Sequence, residues 1–183
     1  MTSKLLLMLL LGFVSCSKSG SNIDIAKQYY SVLNNSNYSE AKRILEDSIL
    51  TTEIAYKKVF LKTDYIEFLK WDAVFKPKYE VSNMEENHGT VKAIVSKIDK
   101  RVLFLHESPI IYKQIIQFKE DKIYSVETPE YINFNDTIFS RNRKKLLGWI
   151  KKNHPELDGF IHDQTKVGAL NYLKAINLYS DAH

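Results

Sequence analysis

Residues 76–127 constrain the choice of fold more than any other part of the chain. They hold four runs rich in Val, Ile, Tyr and Phe, separated by turn residues, which is the pattern of an antiparallel meander. The runs are 79–84, 90–98, 110–119 and 122–127. Residues 85–89 close the first hairpin, with Gly89 free to take a positive φ. Glu120 and Asp121 make a two-residue turn into the fourth run, and Pro109 opens the third. Val102 to Leu105, just after the basic pair Lys100 and Arg101, is a short apolar piece that carries neither a helix nor a strand assignment.

Alternation along these runs says which faces are covered. In the third run Ile110, Tyr112, Ile116 and Phe118 point one way, and Ile111 and Ile115 point the other. In the second, Val91, Ala93 and Val95 share a face opposite Ile94 and Ile98. A sheet with one wet face alternates cleanly between apolar and polar residues. This one is apolar on both, which predicts partial cover on each side.

The segments before the sheet read as helices. Ser21 to Asp24 form a capping-box variant, and Ala26, Tyr29, Tyr30 and Leu33 then fall on one face at i, i+3, i+4 and i+7. Asn34, Asn35 and Ser36 end that helix. A second starts at Asn37, with Glu40 three residues on, and is expected to turn Tyr38, Ala41, Leu45 and Ile49 inward. Residues 51–60 lean towards a single short strand. Thr63 is the expected cap of a third helix bearing Tyr65, Phe68, Leu69 and Trp71, which must end by Pro77.

Helix, helix, short strand, helix and four-stranded meander is an order that resembles the nuclear transport factor 2-like (NTF2-like) superfamily, which includes ketosteroid isomerase and SnoaL-type cyclases. The resemblance covers residues 23–127 and rests on that order together with His88-Gly89-Thr90-Val91 and Phe118-Lys119-Glu120-Asp121-Lys122-Ile123. It implies an α+β cone, in which a bent antiparallel sheet wraps the N-terminal helices and encloses a pocket. Tyr29, Tyr30, Phe68, Tyr112, Ile116 and Phe118 are the residues expected to line it. Members of the superfamily include enzymes, ligand binders and interaction modules, so the fold does not settle the function.

Two further helices are predicted beyond Thr128 and Pro129, where an extension begins. Residues 139–153 carry Phe139, Leu146, Leu147, Trp149 and Ile150, and His154-Pro155 stops them. A last helix starts at Asp163 or Thr165 and runs to Tyr179, with Val167, Leu170, Leu173 and Ile176 expected inward. These helices are the expected cover for the second face of the sheet, and a second copy of the chain is the alternative.

The N-terminus reads as an address. Residues 1–15 place one Lys before a compact apolar run, which is shorter than the ~20 residues that span a bilayer and fits the core of a secretory signal. The sole cysteine, Cys16, follows at once, and Phe13-Val14-Ser15-Cys16 resembles a bacterial lipobox with Phe13 where Leu is usual. The expected organisation is therefore a signal peptide at 1–15, a lipidated Cys16 with a flexible tether to 22, and one domain over 23–183. That predicts a lipid-anchored protein of the bacterial envelope, facing the periplasm, with no intramolecular disulfide. The formal charge of +4 is mild, and the cations gathered at 141–152 belong in an exported protein to a solvated or headgroup-facing helix rather than to a nucleic-acid site.

Chemistry is less legible. The resemblance implies that a tyrosine such as Tyr29, Tyr30, Tyr112 or Tyr124 could donate a hydrogen bond into the cone, although buried tyrosines are more often core with a paired hydroxyl. An isomerase would also need a carboxylate in the pocket. Asp99 reads as a solvated turn beside Lys97, Lys100 and Arg101, and Glu53 and Glu127 are the remaining options. Residues 153–163 gather His154, His162 and three carboxylates, but the spacing matches no zinc motif. No Walker loop, nucleophile elbow or dinucleotide motif occurs. The expectation is a membrane-anchored binding module without metal or cofactor, taking a small apolar ligand or a protein partner such as a second copy or another envelope protein. A small-molecule enzyme using the same cone and a structural module of an envelope complex are the alternatives.

Overall fold

The computed structural model describes residues 21–183. The expected signal peptide, residues 1–15, and Cys16 lie outside them. Helix α1 (Asn22–Asn35) opens with the expected box: Ser21 Oγ accepts from the Asp24 N–H, and the Asp24 carboxylate accepts from the Ser21 N–H. Helix α2 (Tyr38–Ile44) is capped by Asn37, as predicted, but it is shorter than the spacing suggests. From Leu45 the chain is extended, and the region read as half helix and one strand is a hairpin of β1 (Leu45–Glu53) and β2 (Tyr56–Leu61). Leu45 and Ile49 are buried as expected. Spacing by four puts both on one face of a strand as well as of a helix, which is why the pattern did not discriminate.

Helix α3 (Lys62–Ala73) starts from Leu61, with Thr63 inside the first turn rather than capping it. Strands β3 (Lys78–Asn87), β4 (Thr90–Ile98), β5 (Ile110–Lys119) and β6 (Lys122–Tyr131) form the predicted meander. Both tight hairpins place two central residues at positive φ, His88 with Gly89 and Glu120 with Asp121, the geometry that matches strand twist. The strand order is β2-β1-β6-β5-β4-β3. Four of the five pairings are antiparallel and β1 lies parallel to β6, so the sheet is mixed at that one junction. Register shifts in the β1–β6, β3–β4 and β5–β6 pairs bend it into an open curve.

The concave face carries Val91, Ala93 and Val95 of β4 against Tyr112, Gln114 and Ile116 of β5. Helices α1 and α3 pack into it and complete the first core with Ile25, Ala26, Tyr29, Tyr65 and Leu69. The unassigned piece is helix α4 (Lys100–His106), capped by Asp99. Helix α5 (Asp136–Asn153), two short 3₁₀ turns (Pro155–Leu157 and Phe160–His162) and helix α6 (Lys166–Asp181) follow. They pack on one another, on α4 and on the back of α3, rather than spreading over the outer face of the sheet as expected. The reason is a second core, Trp71, Phe75, Leu105, Leu146, Ile150, Phe160 and Tyr172, which offers α5 and α6 a deeper apolar seat. Helix α6 is also rotated from the predicted facing. Val167 and Leu170 are exposed, and Gly168, Ala169, Tyr172, Ala175 and Ile176 are buried. Gly168 sets that rotation, because a Cβ there would lie 2.1 Å from the Asp163 carbonyl oxygen.

Deletion of residues 136–183 should uncover Trp71, Phe75 and Leu105, all buried in the intact fold. At roughly 1.5–3 kcal/mol per large apolar side chain, the loss is several kcal/mol, visible as a lower urea midpoint with aggregation. An unchanged midpoint would show the extension to be dispensable.

Candidate functional site

Alternation along β5 aims Tyr112, Gln114 and Ile116 into the curve, and the α1 face aims Tyr29 and Tyr30 at them. Two hydrogen bonds lock this layer. Tyr29 and Tyr65 share one of 2.6 Å between hydroxyls, and the Tyr30 hydroxyl donates to Gln114 Oε1 at 2.6 Å. The rings of Tyr29 and Tyr30 meet edge to face. Burial raises the phenol of Tyr29 well above its ordinary value, raises that of Tyr30 too, and moves Tyr65 to about 12 against the opposing hydrogen bond from Tyr29. These groups are protonated donors across the physiological range.

Of the six side chains predicted to line a pocket, Tyr29, Tyr30, Tyr112 and Ile116 thus come together as packed core. Phe68 and Phe118 are half-buried at its margins. Phe68 stacks on Trp71 and reaches a surface cleft of about 320 Å³ shared with Phe60, Asp64 and Gln164. Phe118 pairs with Ile123 beside the β5–β6 turn. Tyr124 is on the opposite side, with its hydroxyl 3.3 Å from Gln117 Oε1. Glu53 accepts from the Tyr131 hydroxyl at an exposed position, and Glu127 is half-buried on β6.

Two carboxylates lie in the interior, Asp72 and Asp99, and Asp72 is not among those the sequence singles out. It follows Tyr65 by seven residues and Leu69 by three, so helical spacing alone places it on the buried face of α3. Its Oδ2 accepts from the Tyr79 hydroxyl at 2.6 Å, and its Oδ1 lies 2.5 Å from Lys97 Nζ and 3.8 Å from the Arg101 guanidinium. Lys97 continues the inward-facing series Val91, Ala93, Val95 of β4, and the Arg101 guanidinium stands over the touching rings of Trp71 and Phe75, 4.8 and 5.2 Å from their centres. Asp99, expected in a solvated turn, is buried. Its Oδ1 caps α4 by accepting from the Val102 N–H, and its Oδ2 is 3.4 Å from Lys97 Nζ but has no hydrogen-bond donor. The correction follows from Lys97 and Arg101. Their charged ends turn inward to Asp72, and Asp99 turns inward with them.

Two carboxylates and two cations make this cluster formally neutral, which is what permits its burial. Burial pushes the Asp72 carboxyl up, but Lys97, Arg101 and the hydrogen bonds from Lys97 and Tyr79 outweigh it and hold the group below the usual carboxylate range. Tyr79 is pushed in the other direction, first by burial and then by the adjacent Asp72 charge. An ionised carboxylate whose two oxygens are both engaged is a weak general base, and its tyrosine partner is a weak acid.

The loop at 153–163 is used locally. His154 Nδ1 lies 3.2 Å from a Glu156 oxygen, and Asp163 accepts from the Thr165 N–H. Among the described residues no three His, Cys, Asp or Glu side chains converge as a metal-binding group.

Comparison with solved structures finds the same fold. An NTF2-like protein of unknown function from Cytophaga hutchinsonii superposes with a TM-score of 0.51 at 17% identity, over 63% of this chain and 94% of the other. A candidate polyketide cyclase from Streptomyces antibioticus gives 0.53 at 6% identity, over 68% and 99%. A candidate ketosteroid isomerase from Kribbella flavida gives 0.52 at 10% identity, over 63% and 80%. No protein-family model and no curated protein matches the sequence. The chain has the NTF2-like α+β fold with a helical C-terminal extension.

Replacing Asp72 by Asn should cost roughly 3–5 kcal/mol near neutral pH, because it leaves Lys97 and Arg101 with a single buried carboxylate, Asp99, to balance them. A carboxyl held low in the folded state contributes stability above its unfolded pKa and loses it as pH falls through the folded value, which for Asp72 lies below the ordinary carboxylate range. Urea midpoints of wild type and Asp72→Asn should therefore converge as pH drops below that range. A gap that stays constant with pH would contradict the ion-pair assignment.

Proposed function

We propose that this NTF2-like chain is a lipid-anchored protein of the bacterial envelope whose domain binds a partner rather than transforming a substrate. The observation that carries the binding reading is the state of Asp72. It is a carboxylate turned towards the concave face, and Lys97, Arg101 and Tyr79 already occupy it. Acid–base catalysis needs a group free to exchange a proton with a reacting atom, and this one is committed to the fold. The anchor rests on the sequence, a short apolar run ending at Cys16 and followed by a polar tether. Among the described residues no helix is long and apolar enough to cross a membrane, so attachment on this reading depends on the lipid.

The enzyme reading has one feature in its favour, since Asp72 and Tyr79 are a buried carboxylate and hydroxyl 2.6 Å apart. Two experiments separate the possibilities. Cys16→Ala should abolish metabolic fatty-acid labelling and move the protein out of the membrane fraction, and labelling that persists in the variant would end the lipoprotein proposal. The full chain, screened against steroid enones and polyketide-like ketones between acid and alkaline pH, should give no turnover above buffer. Turnover that vanishes in both Asp72→Asn and Tyr79→Phe, with the fold intact by circular dichroism, would establish the enzyme instead.

A further inference from the structure

The most distinctive surface feature lies in the extension, away from the concave face. A cleft of about 530 Å³ runs between α5 and the turn at Gly159–His162. That volume falls within the range of small-molecule sites. Leu147, Gly148 and Ile161 line the cleft together with the cations Arg143, Lys144 and Lys151. Residues 144, 148 and 151 recur at i, i+4 and i+7, so α5 presents them as one stripe. Among the described residues none of the three cations has a carboxylate within ion-pair distance. Asp158 also borders the cleft, but its oxygen is turned to the Gly159 N–H at 3.1 Å.

Gly148 is the second observation. It sits mid-helix, where glycine costs roughly 0.5–1 kcal/mol relative to alanine. Its backbone does not need positive φ, and a Cβ built there meets nothing within 4 Å. Packing therefore gives no reason for glycine at this position. Gly148 lines the cleft, so a side chain much larger than a methyl group there would take up part of its space.

We propose that this cleft binds a single-chain anionic amphiphile, with its acyl chain laid along Leu147, Gly148 and Ile161 and its phosphate or carboxylate held by Arg143, Lys144 and Lys151. The apolar and cationic lining residues match the two ends of such a molecule. A flat bilayer surface would meet the cations but would not fill a cleft of about 530 Å³, so the occupant is an individual molecule taken out of water or membrane. The cleft shares no residue with the Asp72 cluster, and the proposal stands or falls independently of whether the domain is catalytic.

The test is calorimetric titration of octyl phosphate into the full chain held in phosphatidylcholine nanodiscs, with empty nanodiscs as the partition control. Saturable binding of one molecule per chain is expected. The triple variant Arg143→Gln, Lys144→Gln, Lys151→Gln should bind roughly tenfold more weakly or worse, the scale of losing a charge-assisted contact. Gly148→Phe should abolish binding with its melting temperature at or above wild type, and Gly148→Ala should keep binding and melt higher. Absence of saturable binding, or binding that survives Gly148→Phe, would overturn the proposal. So would octanol binding as tightly as octyl phosphate, inorganic phosphate binding as tightly, or an oligoglutamate peptide displacing the probe at lower concentration. Vesicles of phosphatidylcholine with a third phosphatidylglycerol form the last arm. Adsorption to them that the triple variant loses and Gly148→Phe keeps, with no octyl phosphate binding in wild type, would assign the cations to a membrane surface and not to a site.

Discussion

The Asp72 carboxylate is the point on which the two halves of this structure meet. On one side it takes the Tyr79 hydroxyl and Lys97 from the sheet, and so ties α3 to β3 and β4 within the first core. On the other side Arg101, 3.8 Å from the oxygen that Lys97 engages, stands over the rings of Trp71 and Phe75 in the second core. An ion cluster of this kind contributes little net stability compared with apolar packing, but removing one member leaves uncompensated charge in the interior. Its effect is therefore on arrangement. It fixes the rotation of α3, the start of α4 and the end of β4 relative to one another, and the seat for α5 and α6 depends on all three.

That coupling explains why the C-terminal helices go where they do. A third element, α4, stands between the sheet and the extension, and its buried Val102 and Leu105 face different cores. His106 continues the connection. Its Nε2 accepts from the Asn135 N–H at 2.8 Å, Nδ1 lies 3.0 Å from the Ser108 carbonyl, and its ring stacks on Phe134. An imidazole that accepts at Nε2 carries its proton at Nδ1, so one tautomer serves both contacts. Asn135 in turn caps α5 through the Ile138 N–H. A chain of hydrogen bonds thus leads from α4 to the first turn of α5 without passing through the sheet.

Much of this could be read from the residues, and the exceptions have definite causes. Strand runs with period two, the Ser21 and Asn37 caps and the two tight turns are local signals, and the structure contains all of them. The parallel junction of β1 with β6 is not local, because nothing near residue 45 reports that its partner lies some eighty positions on. The facing of α6 is not given by its apolar spacing, because Val167 and Leu170 are apolar at helical intervals while the residue that decides it is Gly168, through a steric contact with Asp163. For the interior, the tyrosines could be placed on inward faces from periodicity, but their pairing with Tyr65 and Gln114 needed the fold. Asp72 is legible from its spacing to Tyr65 and Leu69, which puts it on the buried face of α3, but its charge points the other way, since aspartates are mostly exposed.

The fold itself leaves chemistry open, and the reason is visible in the concave layer. Candidate isomerases and cyclases share this architecture with proteins of unknown function at identities of 17% or less, so shape is retained where side chains are not. What distinguishes one occupant of the fold from another is whether polar groups inside it are free or spoken for. Here Tyr29 is held by Tyr65, Tyr30 by Gln114, and Asp72 by Tyr79 and two cations. Each bond that satisfies a buried polar group also withdraws it from a substrate. Arg143, Lys144 and Lys151, which form no ion pair among the described residues, and the structurally unneeded Gly148 lie instead on α5, in the segment that follows the sheet. On the reading proposed above, recognition falls where the fold asks least of its side chains.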